Sequence, residues 1–392
     1  MLGIASLTAA VLSITSALPP ASGDPAEVLF VRGEKVYVTP LTVLENGAVI
    51  VEKGRIVAVG SELEPPAGAR ELAGKVVCAG FVDAWGAFGV DGASLADVRT
   101  SYATRTVDAL DPYTDRELRA ELLKAGVTAL RLSAGARAAE GGIGALVRNQ
   151  ADGAVVVLED CCVAASVGVN REGRGVDPFD RLAEIDKLVG AIADGQTYLE
   201  AKNEHKYELE EWEKAIAEKT AELEKDFKKA AKEREKAEQE AEDEGKEYKP
   251  KRYKEDKRPS PPRFDPEKEV LARVASGELP LVVQAHRAAE LRNLLEGTAK
   301  FDRLRLIVAG GTEAVTVADE LALREIPVIV WPIPLGAQRL DELEQTDLAL
   351  AGELEQAGVR VLLGSGGMQP LASRDLPLLA ALAVGHGLER ER

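Results

Sequence analysis

Residues 27–82 alternate apolar and polar side chains at period two, with glycines punctuating the pattern. EVLFVRGEKVYVTP predicts two short strands around Gly33, and NGAVIVEKGRIVAVGSE predicts a hairpin turning at Lys53-Gly54. Together they predict a small antiparallel sheet, from which AGKVVCAGFVDAW leads inward. At Phe81 the pattern changes. Near-continuous Val/Ile/Leu runs (VTALRLS, GAVVVLEDC, LPLVVQAH, RLRLIVAG, IPVIVWPIP, VRVLLGSG) alternate with helix-length segments such as DRELRAELLKAG, RAAELRNLLEG and EAVTVADELALRE. Strands buried on both faces lose the polar alternation, so this repeat predicts βα units around a parallel sheet. Seven or eight units predict the α/β class and a (β/α)8 barrel.

The segment from Tyr198 to Phe264 breaks the repeat with a run dominated by Lys, Glu and Ala. Leu209, Trp212, Ile216, Leu223 and Phe227 form one apolar stripe at helical spacing, and Glu–Lys pairs four apart support the exposed faces. From Gly245 the helix signal fails, and KRPSPPR reads as an extended linker. The helix is either a solvated arm packed on the barrel or a docking or dimerisation element. A stripe this thin rarely holds a coiled coil alone. The predicted domains are therefore a leader at 1–23, a sheet at 24–80, the first half-barrel at 81–196, the charged insertion at 197–265 and the second half-barrel at 266–392.

The leader is an apolar run from Leu2 to Leu18, followed by small residues at Ala21 and Gly23 that suit cleavage before Asp24. It predicts export to a periplasmic or extracellular space, although no basic residue precedes the run. No membrane span is expected after its removal. The formal net charge of −17 over 392 residues argues against nucleic-acid and anionic-membrane partners. Three cysteines, two of them adjacent at 161 and 162, make no disulfide framework and read as buried thiols. Only His205, His286 and His386 are present.

GAVIVEKGRIVAVG followed by ELAGKVVCAGFVDAW resembles the opening of the amidohydrolase superfamily, where a Gly-Arg-Ile-Val-x-Val-Gly hairpin precedes Gly-Lys-x-Val-x-Pro-Gly-x-x-Asp-x-His-x-His. AGVTALR, LVVQAHRAAEL, LIVAGGTEA, AGVRVLLGSG and ALAVGHGL follow in the order of that superfamily's barrel units. The resemblance covers 28–196 and 266–392. It implies a small β-sandwich part joined to the barrel and one or two divalent metals, Zn or another, at the barrel's C-terminal mouth. Bound metal lowers the pKa of water and polarises a carbonyl. It also implies closing strands that return to the small sheet after the barrel. GLERER holds no such strands, so the sheet edge is expected to be exposed or paired with another chain.

At the ligand places the resemblance implies, this chain carries other residues. Trp85 and Ala87 stand for His-x-His, Ala164 for the bridging lysine, Gln284 and Gly310 for two histidines, and Gly366 for an aspartate. The histidine count supports the same conclusion independently, since a standard site needs about four. No metal and no other cofactor are expected. Trp85 is expected to fill the vacated space, with Gly310 and Gly366 making room for it. His286, Asp83 and Glu313 are the remaining candidates for acid–base work at the mouth. Each has a structural alternative: Asp83 bracing a strand end, Glu313 capping a helix, and His286 bonded to a loop. EGGIGALVRNQ reads as a Gly-rich turn able to approach a phosphate, without P-loop spacing. The serine of GSGG has no paired base nearby in the sequence.

Three readings follow. The first is an exported, metal-free barrel serving as scaffold or binding module. The second is a hydrolase of carbon–nitrogen bonds with an atypical site. The third is a regulatory subunit that pairs with an active homologue through the charged arm or the open sheet edge; the expected partner is such a homologue or a second copy in a homo-oligomer.

Overall fold

The computed structural model describes residues 28–90, 100–113, 115–133, 140–167, 178–243, 257–331, 346–367 and 369–389, without the side chains of 178, 180 and 221–243. The expected leader at 1–23 lies outside these residues, as do 244–256 of the expected linker.

Strand β1 (Val28–Thr39) runs unbroken through Gly33, where two short strands were expected. Partners along its length explain the difference. β3 (Ala48–Glu52) pairs with its first part and β2 (Thr42–Glu45) with its second, while β5 (Arg70–Val77) lies parallel along the other edge. Gly33 sits at the change of partner and donates its N–H to the Gly47 carbonyl at 2.9 Å. β4 (Arg55–Gly60) completes the predicted hairpin. Lys53 and Gly54 both take positive φ, 51° and 72°, the backbone of a type I′ turn. Because β5 is parallel to β1, the sheet is mixed rather than purely antiparallel. Phe30, Ala48 and Ile50 form its buried face, while Ile56, Val57 and Val76 are exposed.

Among the described residues a second sheet has eight strands paired in chain order. They are β6 (Phe81–Gly86), β7 (Val127–Leu132), β8 (Glu140–Gln150), β9 (Gly153–Ser166), β10 (Leu281–Ala285), β11 (Leu306–Gly310), β12 (Val328–Val330) and β13 (Val361–Leu363). The result is a nearly closed barrel with one irregular unit. EGGIGALVRNQ is β8 and not a turn, and it runs antiparallel to both β7 and β9. Its alternate residues Ile143, Ala145 and Val147 are all buried, and ladders on both edges hold the glycine-rich backbone extended.

The wall of the barrel has two apolar faces. Leu281, Val283, Leu306, Val308, Val328 and Val330 face outward into one core with helices α4 (Ala288–Thr298), α5 (Ala318–Leu323) and α6 (Leu350–Gln356), whose Leu294, Leu321 and Leu354 are fully buried. Burial of each such side chain contributes about 1.5–3 kcal/mol. Val282, Ala309 and Ile329, one residue along in each strand, face inward. Three further helices, α1 (Arg116–Lys124), α3 (Pro266–Ala275) and α7 (Leu376–Gly385), cover the remainder.

Helix α2 (Pro178–Asp243) is continuous for 66 residues and passes residue 196 without interruption. At ~1.5 Å per residue it is roughly 100 Å long. Its first turns bury Ile185, Leu188 and Ile192 in the outer core. Arg181 pairs with Glu290 of α4 in a buried ion pair, its donor Nη1 against Oε1. Farther along, Tyr198 and Lys202 both donate to Glu269 of α3. Leu209, Trp212 and Ile216 are half-buried, whereas Leu223 and Phe227 fall among the undescribed side chains. Among the described residues no helix is long and apolar enough to cross a membrane.

Candidate functional site

β6 and β13 meet without a backbone ladder, and Asp83 does the joining. This carboxylate is fully buried. Its Oδ1 accepts from the backbone N–H groups of Trp85 and Ser365, each at 3.0 Å, and its Oδ2 accepts from the Ser373 hydroxyl at 2.6 Å. Ser365 in turn donates its hydroxyl to the Trp85 carbonyl. Three donors, two of them from beyond the last strand, make Asp83 the staple between the barrel's first and last strands.

Glu313 follows β11. Its Oε2 accepts from the Ala288 N–H at 2.7 Å, capping the start of α4, and its own N–H donates to the His286 carbonyl. His286, 2% exposed, stands at the end of β10. Its Nδ1 lies 2.7 Å from Thr312 Oγ1 and its Nε2 lies 3.2 Å from the Gln284 amide. In either orientation of that amide, a neutral imidazole donates from one nitrogen and accepts at the other. The ring also meets Trp331 edge-on at 5.8 Å. His286 and Glu313 are therefore neighbours through the backbone, while Asp83 has its partners at the seam.

The interior itself is packed. Trp85, 1% exposed, and Trp331 have ring centroids 6.1 Å apart and cluster with Cys162, Val282, Ala309 and Ile329. The Arg131 guanidinium lies 4.2 Å from the Trp85 ring centroid, with Nε donating to the Ala84 carbonyl at 2.6 Å and Nη1 to Cys162 Sγ at 3.2 Å. The glycines that admit these rings differ in part from those expected. A Cβ on Gly310, φ 87°, would lie 2.4 Å from His286 Cε1, so this glycine makes room for the imidazole and not for Trp85. Gly366 faces the Trp331 ring at ordinary contact distance. Gly364 and Gly367 are the residues against Trp85, where a Cβ would come within 2.9 Å of its Cβ and 2.2 Å of its Nε1.

The other places that the sequence resemblance assigns to metal ligands are filled in a similar way. Ala87 and Ala164 are buried methyl groups, and Gln284 is half-buried with its amide on His286. Among the described residues no three His, Cys, Asp or Glu side chains converge to hold a metal ion. Zn²⁺ and its relatives need several lone pairs at about 2.0–2.3 Å. Here the places offer one amide, and a fixed guanidinium lies over the neighbouring ring. Among the described residues, those at these places do not fit the divalent ion that the sequence resemblance implies.

Arg131, Trp331 and the cysteine pair were not singled out as site residues by sequence reasoning. Two signals were available: an arginine inside the apolar run VTALRLS, and a tryptophan inside IPVIVWPIP.

No family model matches the chain, and no curated protein matches it. Solved structures do. An amidohydrolase from Thermotoga maritima MSB8 is 19% identical, with a TM-score of 0.67 over 93% of this chain and 85% of that one. More distant are an A. niger ochratoxinase (14% identity, TM-score 0.42, 92% and 80% coverage) and a zinc-bound adenosine deaminase from Xanthomonas campestris (16%, 0.38, 94% and 76%). At such identity the first of these establishes shared architecture. By fold, this chain shares with that structure a nearly closed barrel of β-strands and covering helices with an N-terminal β-sheet.

Proposed function

We propose that the chain is an exported, metal-free barrel of the amidohydrolase type, serving as a scaffold or binding module rather than as a hydrolase. The observation that carries this reading is the packing of Trp85, Arg131 and Trp331 inside the barrel, where metal and activated water would otherwise lie. Hydrolysis in the superfamily that the sequence resembles rests on a metal-bound hydroxide. Arg131 opposes that chemistry twice, because its positive charge repels a divalent cation and its plane holds Trp85 in place. The three candidate acid–base groups support the reading as well, since each is committed to a structural bond. Export rests on the leader-like segment at 1–23 alone. The long charged helix α2 offers the surface through which a scaffold would reach a partner.

Metal binding tests this reading. Purified protein is equilibrated with Zn²⁺, Mn²⁺ and Fe²⁺ in turn, desalted, and analysed for metal per chain, alongside a Cys161→Ser/Cys162→Ser variant that removes adventitious thiol ligation. The expected result is no stoichiometric metal in the variant. One tightly held equivalent that disappears on His286→Ala or Gln284→Ala would overturn the reading.

A further inference from the structure

One chemical cluster in the barrel interior belongs neither to hydrolysis nor to simple packing. Cys161 and Cys162 are consecutive on β9, where neighbouring side chains ordinarily point to opposite faces. The register of β8 against β9 shifts between Gly144 and Leu146, which places a bulge beside these residues. As a result both sulfurs pack against the interior cluster, with Sγ atoms 3.7 Å apart and the Cys161 thiol donating to Cys162. Arg131 Nη1 approaches Cys162 Sγ to 3.2 Å. Glycine at 144 leaves space for that sulfur, since a Cβ there would lie only 2.7 Å from it. The Cys161 S–H and the Arg131 cation hold the Cys162 thiol below its usual range, although burial opposes them. The same hydrogen bond, with burial, pushes Cys161 up. A thiolate beside a thiol is the arrangement that lets one sulfur attack and the other resolve.

We propose that Cys161 and Cys162 form a reversible dithiol–disulfide site oxidised by hydrogen peroxide. The Cys162 thiolate attacks one peroxide oxygen and the O–O bond breaks. Cys162 becomes a sulfenic acid, and the departing hydroxide takes up a proton as water. The Cys161 sulfur then attacks the sulfenic sulfur, its proton leaves with the displaced hydroxide as a second water, and the S–S bond closes. Two thiols have lost two hydrogens and two electrons, and one peroxide has become two waters. A small-molecule dithiol reverses the change by exchange, ending as a disulfide itself. Adjacent Cα atoms stand ~3.8 Å apart, short of the usual disulfide span of about 4.4–6.8 Å, so the closed bridge is strained and readily reduced. Cys162 is buried and Cys161 half-buried, so the approach for a molecule as small as peroxide is from the Cys161 side. Cys78, exposed and remote in sequence, serves as an internal reference.

The test uses the full, reduced chain, exposed to hydrogen peroxide, alkylated and mapped by peptide mass spectrometry. The expected result is a peptide carrying 161–162 that has lost two hydrogens, resists alkylation and recovers with dithiothreitol, whatever the state of Cys78. Cys161→Ser should instead accumulate a dimedone-reactive sulfenic acid at Cys162. At about pH 5, below the titration of Cys162, Arg131→Gln should slow oxidation several-fold, with Arg131→Lys restoring part of the rate. Both thiols remaining alkylatable after peroxide would overturn the proposal. Oxygen gain at Cys162 in the unaltered chain, with Cys161 still free, would do the same. The metal content of the protein bears on neither outcome, so this proposal and the metal-free reading can fail separately.

Discussion

The outer and inner faces of the barrel wall are made of alternate residues on the same strands, yet they are held by different means. Outside, Leu281, Val283, Val308, Val328 and Val330 meet helix side chains in apolar contacts that need only volume and pattern. Inside, Trp85, Arg131, Cys162 and His286 each have a specific partner: a cation over a ring, an N–H on a carbonyl or a sulfur, an imidazole between an amide and a hydroxyl. Stability therefore resides mainly in the outer face and in the seams. That division allows an interior to exchange one chemistry for another while the barrel around it persists.

Substitutions can break or sharpen this contrast. The largest effect is expected at Glu290→Ala, which removes both the buried carboxylate paired with Arg181 and the acceptor of the His286 and Arg287 N–H groups; the side chains of the ion pair are 3% and 4% exposed. The loss should be about 3–5 kcal/mol in urea unfolding. Leu294→Ala, on the outer face, should cost about 2–5 kcal/mol through the cavity it leaves. Arg131→Met, on the inner face, keeps the stem but removes the cation over Trp85 and the donor to Ala84. About 1–3 kcal/mol is expected, with a change in tryptophan emission. If Arg131→Met cost as much as Glu290→Ala, the contrast between the faces would fail.

The smallest effect is at the partly exposed anchor between α2 and α3. The hydrogen bond from Lys202, helped by Tyr198, holds the Glu269 carboxyl below its ordinary value of 4.5. A depressed carboxyl stabilises the fold above its unfolded pKa and loses that contribution as pH falls through the folded one. Urea midpoints should therefore decline below the ordinary carboxylate range by an amount worth about 0–1 kcal/mol, less at high salt. Lys202→Met should remove most of that dependence.

The barrel, the Lys53-Gly54 hairpin and the helices α1 and α4 were legible in the sequence because periodicity and turn chemistry act over a few residues. The unbroken β1 and the antiparallel β8 were not, because each depends on partners along both edges that no local pattern encodes. The contacts made by the residues at the places the resemblance assigns to metal ligands were not legible. Gly310 accommodates His286 from a neighbouring strand, and Arg131 joins Ala84 to Cys162 across 47 and 31 residues of sequence. Such pairings follow from strand register. The bulge beside Cys161 and Cys162 altered that register in a way composition could not reveal.

The central claim, a barrel interior filled by side chains in place of a metal, has a direct optical test. The chain has three tryptophans, and Trp212→Phe removes the one on α2, leaving Trp85 and Trp331 as reporters of the barrel interior. Emission from this variant should be blue-shifted, resist acrylamide quenching and stay unchanged when Zn²⁺ or Mn²⁺ is added to saturation. Red-shifted, readily quenched emission, or a metal-dependent shift that titrates to one equivalent, would contradict the account.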